Sequence, residues 1–149
     1  MTRVCLIGDD DVDLRGELLA RETSRDALAA YALASPWENT IAATTVSVGA
    51  AVSLLNDLNW YLVRFVADAI LFEPSVSETE WFSRAVATEI RDQHVDPDET
   101  GSLLKIYGVE NGRLVEPMYT RRAGDQPPTY DLRDVTDTLV VRITEAEFG

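Results

Sequence analysis

The fold is decided by residues 47–74, SVGAAVSLLNDLNWYLVRFVADAILFEP, the longest apolar-rich run in the chain. Apolar side chains recur in it every three or four residues, which is the spacing of one helix face. The residues that follow this spacing are Val48, Ala51, Val52, Leu55, Leu58, Leu62, Phe65, Val66 and Ala69. The pattern predicts a central core helix that Ser47 caps, followed by a short buried strand over residues 69–72. Residues 60–66 also have strand propensity, and we prefer helix because the apolar spacing continues through them.

Strands are expected on both sides of this helix. Residues 3–8, 40–46 and 138–144 are short apolar or β-branched runs, which is typical of buried strands. Residues 103–119 predict a β-hairpin around an Asn-Gly pair, because that pair supplies the two positive φ angles of a tight primed turn. The Pro-Pro segment over residues 124–129 predicts a loop.

Further helices are indicated by capping residues. Residues 13–20 predict a first helix, and Ser24 is a candidate cap for a second, although that second segment could also alternate as a strand. Residues 77–80, SETE, match a capping box that would open a helix containing Trp81 and Phe82. The order of elements predicts a single α/β or α+β domain, residues 1–149. We expect a mixed sheet of about five to six strands with covering helices and an antiparallel C-terminal hairpin.

The composition is strongly acidic, with 26 Asp and Glu against 13 Lys and Arg and a net charge of −13. Lys105 is the only lysine, which leaves 13 − 1 = 12 arginines. The acids are spread along the chain, and this predicts a surface adapted to concentrated salt. At about 1 M salt the Debye length is only about 3 Å, so such a surface barely repels itself. The alternative is an acidic protein from an organism that lives in dilute salt.

Location and partner class follow from further features of the sequence. Cys5 is the only cysteine, which excludes an intrachain disulfide and a cysteine zinc cluster. The N-terminal residues do not resemble a signal peptide, and Asp57 and Arg64 inside the central run argue against a membrane span. We therefore expect a soluble, cytoplasmic protein that does not bind membranes. The absence of a basic patch argues against nucleic acid as a partner.

A run of three acids, Asp9, Asp10 and Asp11, follows the first strand. Carboxylates at the end of a strand could bind Mg²⁺ through oxygen ligands. Together with Asp57 and Lys105, the segments LIGDDD and LLNDLN resemble the response-regulator receiver domain. That resemblance implies a Mg²⁺-dependent phospho-acceptor. The chain departs from the receiver pattern because Asp57 falls inside the helical spacing. The alternative is that the Asp run caps a helix and Lys105 lies on the exposed side of a strand.

Other candidate residues are isolated. His94 is the only histidine and stands in a polar segment without a motif, which indicates a surface side chain. Cys5 alternates with apolar residues and predicts an inert core thiol. Of the three tryptophans, Trp81 is expected in the core, and Trp37, in a Ser-Pro-Trp-Glu-Asn loop, is expected to be the most exposed. Trp37 is therefore the candidate contact for a partner.

Four segments also resemble a family of small uncharacterised proteins from haloarchaea. They are LNDLNWYLVRF, EPSVSETEW, YGVENGRLVEPMY and YDLRDVTDTLVVRITEAEF. The resemblance covers nearly the whole chain and implies a halophilic, cytosolic source, without an activity or a site.

Two functions of different class remain. The favoured one is a non-enzymatic regulatory module, without a cofactor, that binds a protein or a small ligand. The other is a Mg²⁺-dependent phospho-acceptor or hydrolase that uses Asp9, Asp10 and Asp11. The sequence leaves homo-oligomerisation open.

The salt hypothesis makes the first testable prediction. The melting temperature should rise from dilute buffer to molar KCl, because screening removes the repulsion among surface carboxylates. Thermal melts followed by circular dichroism across a KCl series measure this. A melting temperature that is flat or falls with KCl contradicts salt adaptation.

Overall fold

The computed structural model describes residues 1–124 and 137–148. In this part of the chain a mixed sheet has seven strands, more than the five to six expected. They are β1 Thr2–Gly8, β2 Thr40–Thr45, β3 Val66–Phe72, β4 Trp81–Ser83, β5 Leu103–Glu110, β6 Arg113–Arg121 and β7 Asp137–Arg142. Their order in the sheet is β2-β1-β3-β4-β7-β5-β6, and only the β4–β7 pair is parallel. The additional strand is β4, which falls where the sequence predicts a helix.

Helices cover one face of this sheet. Within the described residues they are α1 Leu14–Leu19, α2 Glu22–Leu28, α3 Val48–Asp57, α4 Asn59–Phe65 and α5 Arg84–Arg91. Short 3₁₀ turns occur at Pro97–Glu99 and Glu145–Glu147. Leu14, Leu55 and Val86 of the helices share one buried cluster with Leu6 and Phe82 of the strands. The α+β class with a mixed sheet is confirmed.

The central stretch forms the helix that its spacing predicts, but in two pieces. Ser47 caps α3 as expected, because its Oγ accepts the N–H of Ala50 at 3.0 Å. Leu58 leaves helical geometry, with φ −92° and ψ 4°, while its side chain stays buried. A second helix, α4, follows at once and ends at Phe65, so the helical reading of the ambiguous segment is confirmed except at its last residue. The strand begins at Val66, three residues earlier than predicted.

Two capping predictions are wrong. The hydroxyl of Ser77 accepts the N–H groups of Thr79 and Glu80 at 3.3 and 3.0 Å, but no helix begins there. Trp81 and Phe82 instead enter the sheet as β4, because each buries its ring against one face of it. The true cap is one strand later, where Ser83 Oγ accepts the N–H of Val86 and opens α5.

The second wrong cap is Ser24. It lies inside α2, which begins at Glu22, and its hydroxyl donates to the carbonyls of Leu18 and Arg21. A buried serine that bonds backward to the preceding turn ties α1 to α2 rather than opening a helix.

The other strand predictions are confirmed to within about two residues. β1, β2 and β7 occupy the predicted runs, and β5 and β6 form the hairpin. At its turn Asn111 and Gly112 have φ of 54° and 75°, as the primed turn requires. The predicted loop over residues 124–129 lies outside the described residues, apart from Gly124.

The sheet is strongly curled, with its concave face away from the helices. β3 and β5 are separated in the sheet by β4 and β7, yet Asp68 of β3 contacts Lys105 and Tyr107 of β5. Such a contact requires the two strands to approach across the inside of the curl. The tip of the hairpin also returns to the opposite side, where the N–H of Glu38 donates to the carbonyl of Gly112 at 2.9 Å. The concave side is a half-closed barrel interior.

Gly112 and Gly49 provide a matched test of the hairpin turn. Gly112→Ala should destabilise the protein by about 1 kcal/mol, because alanine at positive φ is strained. A Cβ there would meet no atom within 4 Å, so backbone strain is the only new cost. Gly49→Ala, in α3 with only ordinary contacts, should stabilise by about 0.5 kcal/mol. Urea denaturation measures both, and a neutral Gly112→Ala would contradict the turn geometry.

Candidate ligand cleft

A cleft of about 910 Å³ opens on the concave side of the sheet, bounded by β1, β3 and the β5–β6 hairpin. The charged residues that line it, among those the structure describes, are Asp10, Glu38, Lys105, Glu110, Arg113 and Glu116. Two tyrosines, Tyr107 and Tyr119, and the apolar Ile7 and Leu114 complete much of its wall. The cleft therefore offers ionic, hydrogen-bonding and aromatic contacts in one concave space.

Two residues of the cleft wall, Lys105 and Tyr107, share the carboxylate of Asp68 behind them, and we call this group the Asp68–Lys105–Tyr107 triad. The Lys105 ammonium contacts the Asp68 carboxylate, and the Tyr107 hydroxyl donates to the same oxygen, Oδ2, at 2.7 Å. The other oxygen, Oδ1, accepts the N–H of Ala69 at 3.0 Å. Lys105 is only 8% exposed, and its Nζ lies 5.5 Å from the centre of the Tyr107 ring. Asp68 is thus held by three donors.

Strand alternation explains how the triad is positioned. Lys105 and Tyr107 are two residues apart on β5, so both side chains point into the curl while Leu104 and Ile106 point away. On β3, Asp68 shares the concave face with Ile70, which packs with Trp81 and Val141 in the closed part of the interior. The triad lies where this apolar packing gives way to the open cleft.

Burial keeps two groups on the concave face, the Tyr107 hydroxyl and the Cys5 thiol, protonated by raising the pKa of each. Burial raises the pKa of the Tyr107 hydroxyl, and the negative charge of Asp68 and the hydrogen bond to it raise that pKa further. Tyr107 is therefore a neutral donor throughout the physiological range. Burial raises the pKa of the Cys5 thiol to about 12, so Cys5 is a neutral, fully buried thiol, in line with the inert role expected for it.

The predicted metal residues are placed in the turn after β1. Asp9 is half-buried, Asp10 and Asp11 are exposed, and Asp10 lies at the cleft. Asn39 holds this turn, because its Nδ2 donates to the carbonyl of Asp9 at 3.0 Å and its Oδ1 accepts the N–H of Leu14. Over residues 1–124 and 137–148, no group of three Asp, Glu, His or Cys side chains is arranged to hold a metal ion. A Mg²⁺ site here stays a prediction.

Asp57 and Lys105 are not brought together. Asp57 is exposed at the end of α3, on the helix-covered face, whereas Lys105 is buried in the concave face and paired with Asp68. The expectation that Lys105 is an exposed strand residue is wrong, because the curl of the sheet covers it. His94 is exposed just after α5, as predicted.

Trp37 is less exposed than predicted. It is half-buried, with its ring 5.9 Å from Trp81 in an edge-on arrangement, whereas Trp60 on α4 is 49% exposed. The ranking of the tryptophans by exposure is therefore wrong, while Trp81 is in the core as expected. Trp37 as a partner contact stays a prediction.

Asp68 and Tyr107 are the site residues that the sequence analysis missed. Asp68 stands in VADAILF and Lys105 in LLKIY, each the only charged residue of an otherwise apolar strand segment. A lone acid and a lone base in two buried strands are a signal for a buried ion pair. The predicted strand starts at Ala69, so it leaves out Asp68 and hides this signal.

The fold and the cleft define a curled α+β sheet protein with a polar interior site. The chain belongs to a family of unknown function, DUF5804, whose family model matches residues 2–109. That range includes the whole Asp68–Lys105–Tyr107 triad, whereas β6 lies beyond it. No curated protein and no solved structure matches the chain. Within the described residues, no helix is long and apolar enough to cross a membrane.

The triad makes a stability prediction. Asp68→Asn should cost about 3–5 kcal/mol, because it leaves the Lys105 ammonium buried without its counter-charge. Lys105→Met should cost less, since Asp68 keeps the donors Tyr107 and Ala69. The double variant should be more stable than the sum of the two losses by about 2–3 kcal/mol.

Chemical denaturation of the four proteins in the cycle measures this coupling. The exposed pair of Glu17 and Arg21, 2.7 Å apart, is the control, and Glu17→Gln should change stability by less than about 1 kcal/mol. A coupling between Asp68 and Lys105 that is no larger than the effect of Glu17→Gln contradicts a buried ion pair.

Proposed function

We propose that the protein is a non-enzymatic binding module, regulatory in role, and that it holds a small polar ligand in the cleft of the curled sheet. The observation that carries the proposal is the cleft itself, about 910 Å³ in volume, with Lys105 and Tyr107 of the triad in its wall. Pockets for small molecules commonly span about 300–1,000 Å³ and combine apolar walls with a few fixed polar groups, and they often occur in barrel mouths.

The wall of the cleft supports a polar rather than a purely apolar ligand. Lys105 and Tyr107 are each oriented by Asp68, so their remaining hydrogen-bonding capacity faces the cleft in a fixed geometry. Tyr119 is 41% exposed and adds an aromatic surface. Groups that are positioned before binding lose little entropy when the ligand arrives, which favours affinity.

Binding is favoured over catalysis because the charged groups of the triad satisfy each other. The acid excess of the chain further supports a protein that works in the cytoplasm of a salt-rich cell. Ligand binding should therefore be measured in molar KCl. The phospho-acceptor alternative is less favoured, since Lys105 lies on the opposite sheet face from Asp57.

A cleft-filling variant tests the proposal. Saturation-transfer NMR in molar KCl, with a mixture of small sugars, amino acids, amines and aldehydes, detects compounds that bind. Ala67 lines the cleft and is exposed, so Ala67→Phe should abolish binding by occupying the space. Ala29→Phe, at the exposed C-terminal cap of α2, is the matched control and should leave binding unchanged.

The two variants also define the contrary result. Binding that survives in Ala67→Phe places the ligand elsewhere on the molecule. A mixture in which no compound contacts the wild-type protein contradicts a small-molecule site of this class.

A further inference from the structure

Lys105 is an exception to how this chain uses positive charge. The sequence has 12 arginines and one lysine, and that one lysine is the cation inside the cleft. It is 8% exposed, so a demand of the solvent-exposed surface cannot account for its identity. A property that lysine has and arginine lacks would explain the residue identity at this position.

A second buried carboxylate in the same molecule shows the alternative arrangement. Glu80 is 7% exposed and accepts from Arg122 at 2.5 Å and from Arg142 at 2.8 Å. Although burial acts in the opposite direction, the hydrogen bonds and charges of these arginines hold the pKa of Glu80 below its usual range. Where the chain only needs to neutralise a buried acid, it uses guanidinium groups.

Primary amines differ from guanidinium groups in one chemical respect that matters in a ligand cleft. An amine that gives up its proton is a nucleophile and condenses with aldehydes and ketones, whereas a guanidinium stays protonated in proteins. Lys105 lies beside a group that can accept its proton and return it. A carboxylate contacts its Nζ, a neutral hydroxyl donor lies on that carboxylate, and the cleft adjoins it.

We propose that the ligand is a small aldehyde or ketone and that Lys105 captures it as a reversible imine. This inference rests on the proposed ligand cleft and specifies the chemical class of its ligand. Capture without turnover is consistent with a binding module, because imine formation and hydrolysis are reversible.

The chemical step balances with the groups at hand. The Lys105 ammonium transfers a proton to Asp68, and the free amine forms a C–N bond to the carbonyl carbon. The C=O π bond breaks as that bond forms, and a proton moves from the nitrogen to the oxygen to give a carbinolamine. The carbinolamine then loses its oxygen as water, and Asp68 returns its proton in that step. The product is a protonated imine, so one ammonium and one carbonyl give one iminium and one water. The iminium carries the same charge as the ammonium and keeps the ion pair with Asp68.

The charge of the cleft selects among carbonyl compounds. Glu110 and Glu116 in its described wall have interaction partners, and Lys105 is paired with Asp68, so the remaining charged side chains there are Asp10 and Glu38 against Arg113. A cleft with this excess of carboxylates disfavours anionic ligands. Neutral aldehydes and ketones should therefore be captured in preference to keto acids.

Reductive trapping tests the inference on the full chain in molar KCl. The protein is incubated at pH 7 with glyceraldehyde and cyanoborohydride, and the modified residues are located by peptide mass spectrometry. With one lysine in the chain, only Lys105 and the α-amino group can react as primary amines. In unfolded protein the α-amino group should dominate by more than about tenfold, because its pKa is about 8 against about 10.4 for lysine.

In the folded protein we expect the reverse order, with Lys105 modified more than the α-amino group. We also expect Lys105 to be modified more by glyceraldehyde than by glyoxylate. Lys105→Arg should abolish modification in the cleft and should keep a positive charge beside Asp68. Asp68→Asn should slow trapping at Lys105, while Asp57→Asn, on an exposed helix end, should leave it unchanged. The comparison of folded with unfolded wild type stands even if Asp68→Asn fails to fold.

Two results overturn the inference. One is modification confined to the α-amino group in the folded protein, and the other is a preference at Lys105 that is the same in the folded and unfolded chains. If trapping fails in one of these ways while other compounds bind the wild type and lose binding in Ala67→Phe, the ligand cleft survives and imine capture fails. If trapping fails and no compound binds the wild type, both proposals fail.

Discussion

The contact of Asp68 with Lys105 and Tyr107 is the interaction on which the concave side of the molecule depends. It joins β3 to β5 across two intervening strands, so it exists only while the sheet is curled. The curl in turn brings the hairpin tip to the loop before β2, through the bond from Glu38 to Gly112. Removing either side of the pair leaves a buried charge, which favours states in which the sheet flattens and water enters.

An ion pair in this position is not the most economical way to stabilise a sheet. Removing two charges from water costs several kcal/mol each, and well-packed apolar side chains of similar volume often do as well. The apolar part of the same concave face is packed with such side chains, among them Cys5, Ile70, Trp81 and Val141. Stability alone therefore does not explain the polar part around the Asp68–Lys105–Tyr107 triad, and this is where we propose that the ligand binds. The fixed geometry of the triad also limits the orientations in which that ligand can approach.

Local chemistry explains which parts of this architecture the sequence predicts. The Asn111-Gly112 turn, the Ser47 cap and the run of α3 depend on neighbours within a few residues, and all are found as predicted. The curl depends on which strands become neighbours, and that depends on contacts far apart in sequence. β4 shows the difference, because SETE is a valid capping signal that tertiary packing of Trp81 overrides. The triad joins residues 39 positions apart and could not be derived before the sheet order was known.

In a chain as acidic as this one, concentrated salt would weaken charge interactions on the open surface more than those at the interior site. At about 1 M salt the Debye length is about 3 Å, so charges on the open surface act over little more than contact distance. Buried or partly buried pairs are screened much less, and the side chains of Lys105 and Asp68 are only 10% and 13% exposed. Electrostatic discrimination between ligands is then concentrated where water and ions are excluded. Under the proposed salt-rich conditions, the cleft inside the curled sheet is therefore the part of the molecule in which charge would contribute most to recognition of the proposed ligand.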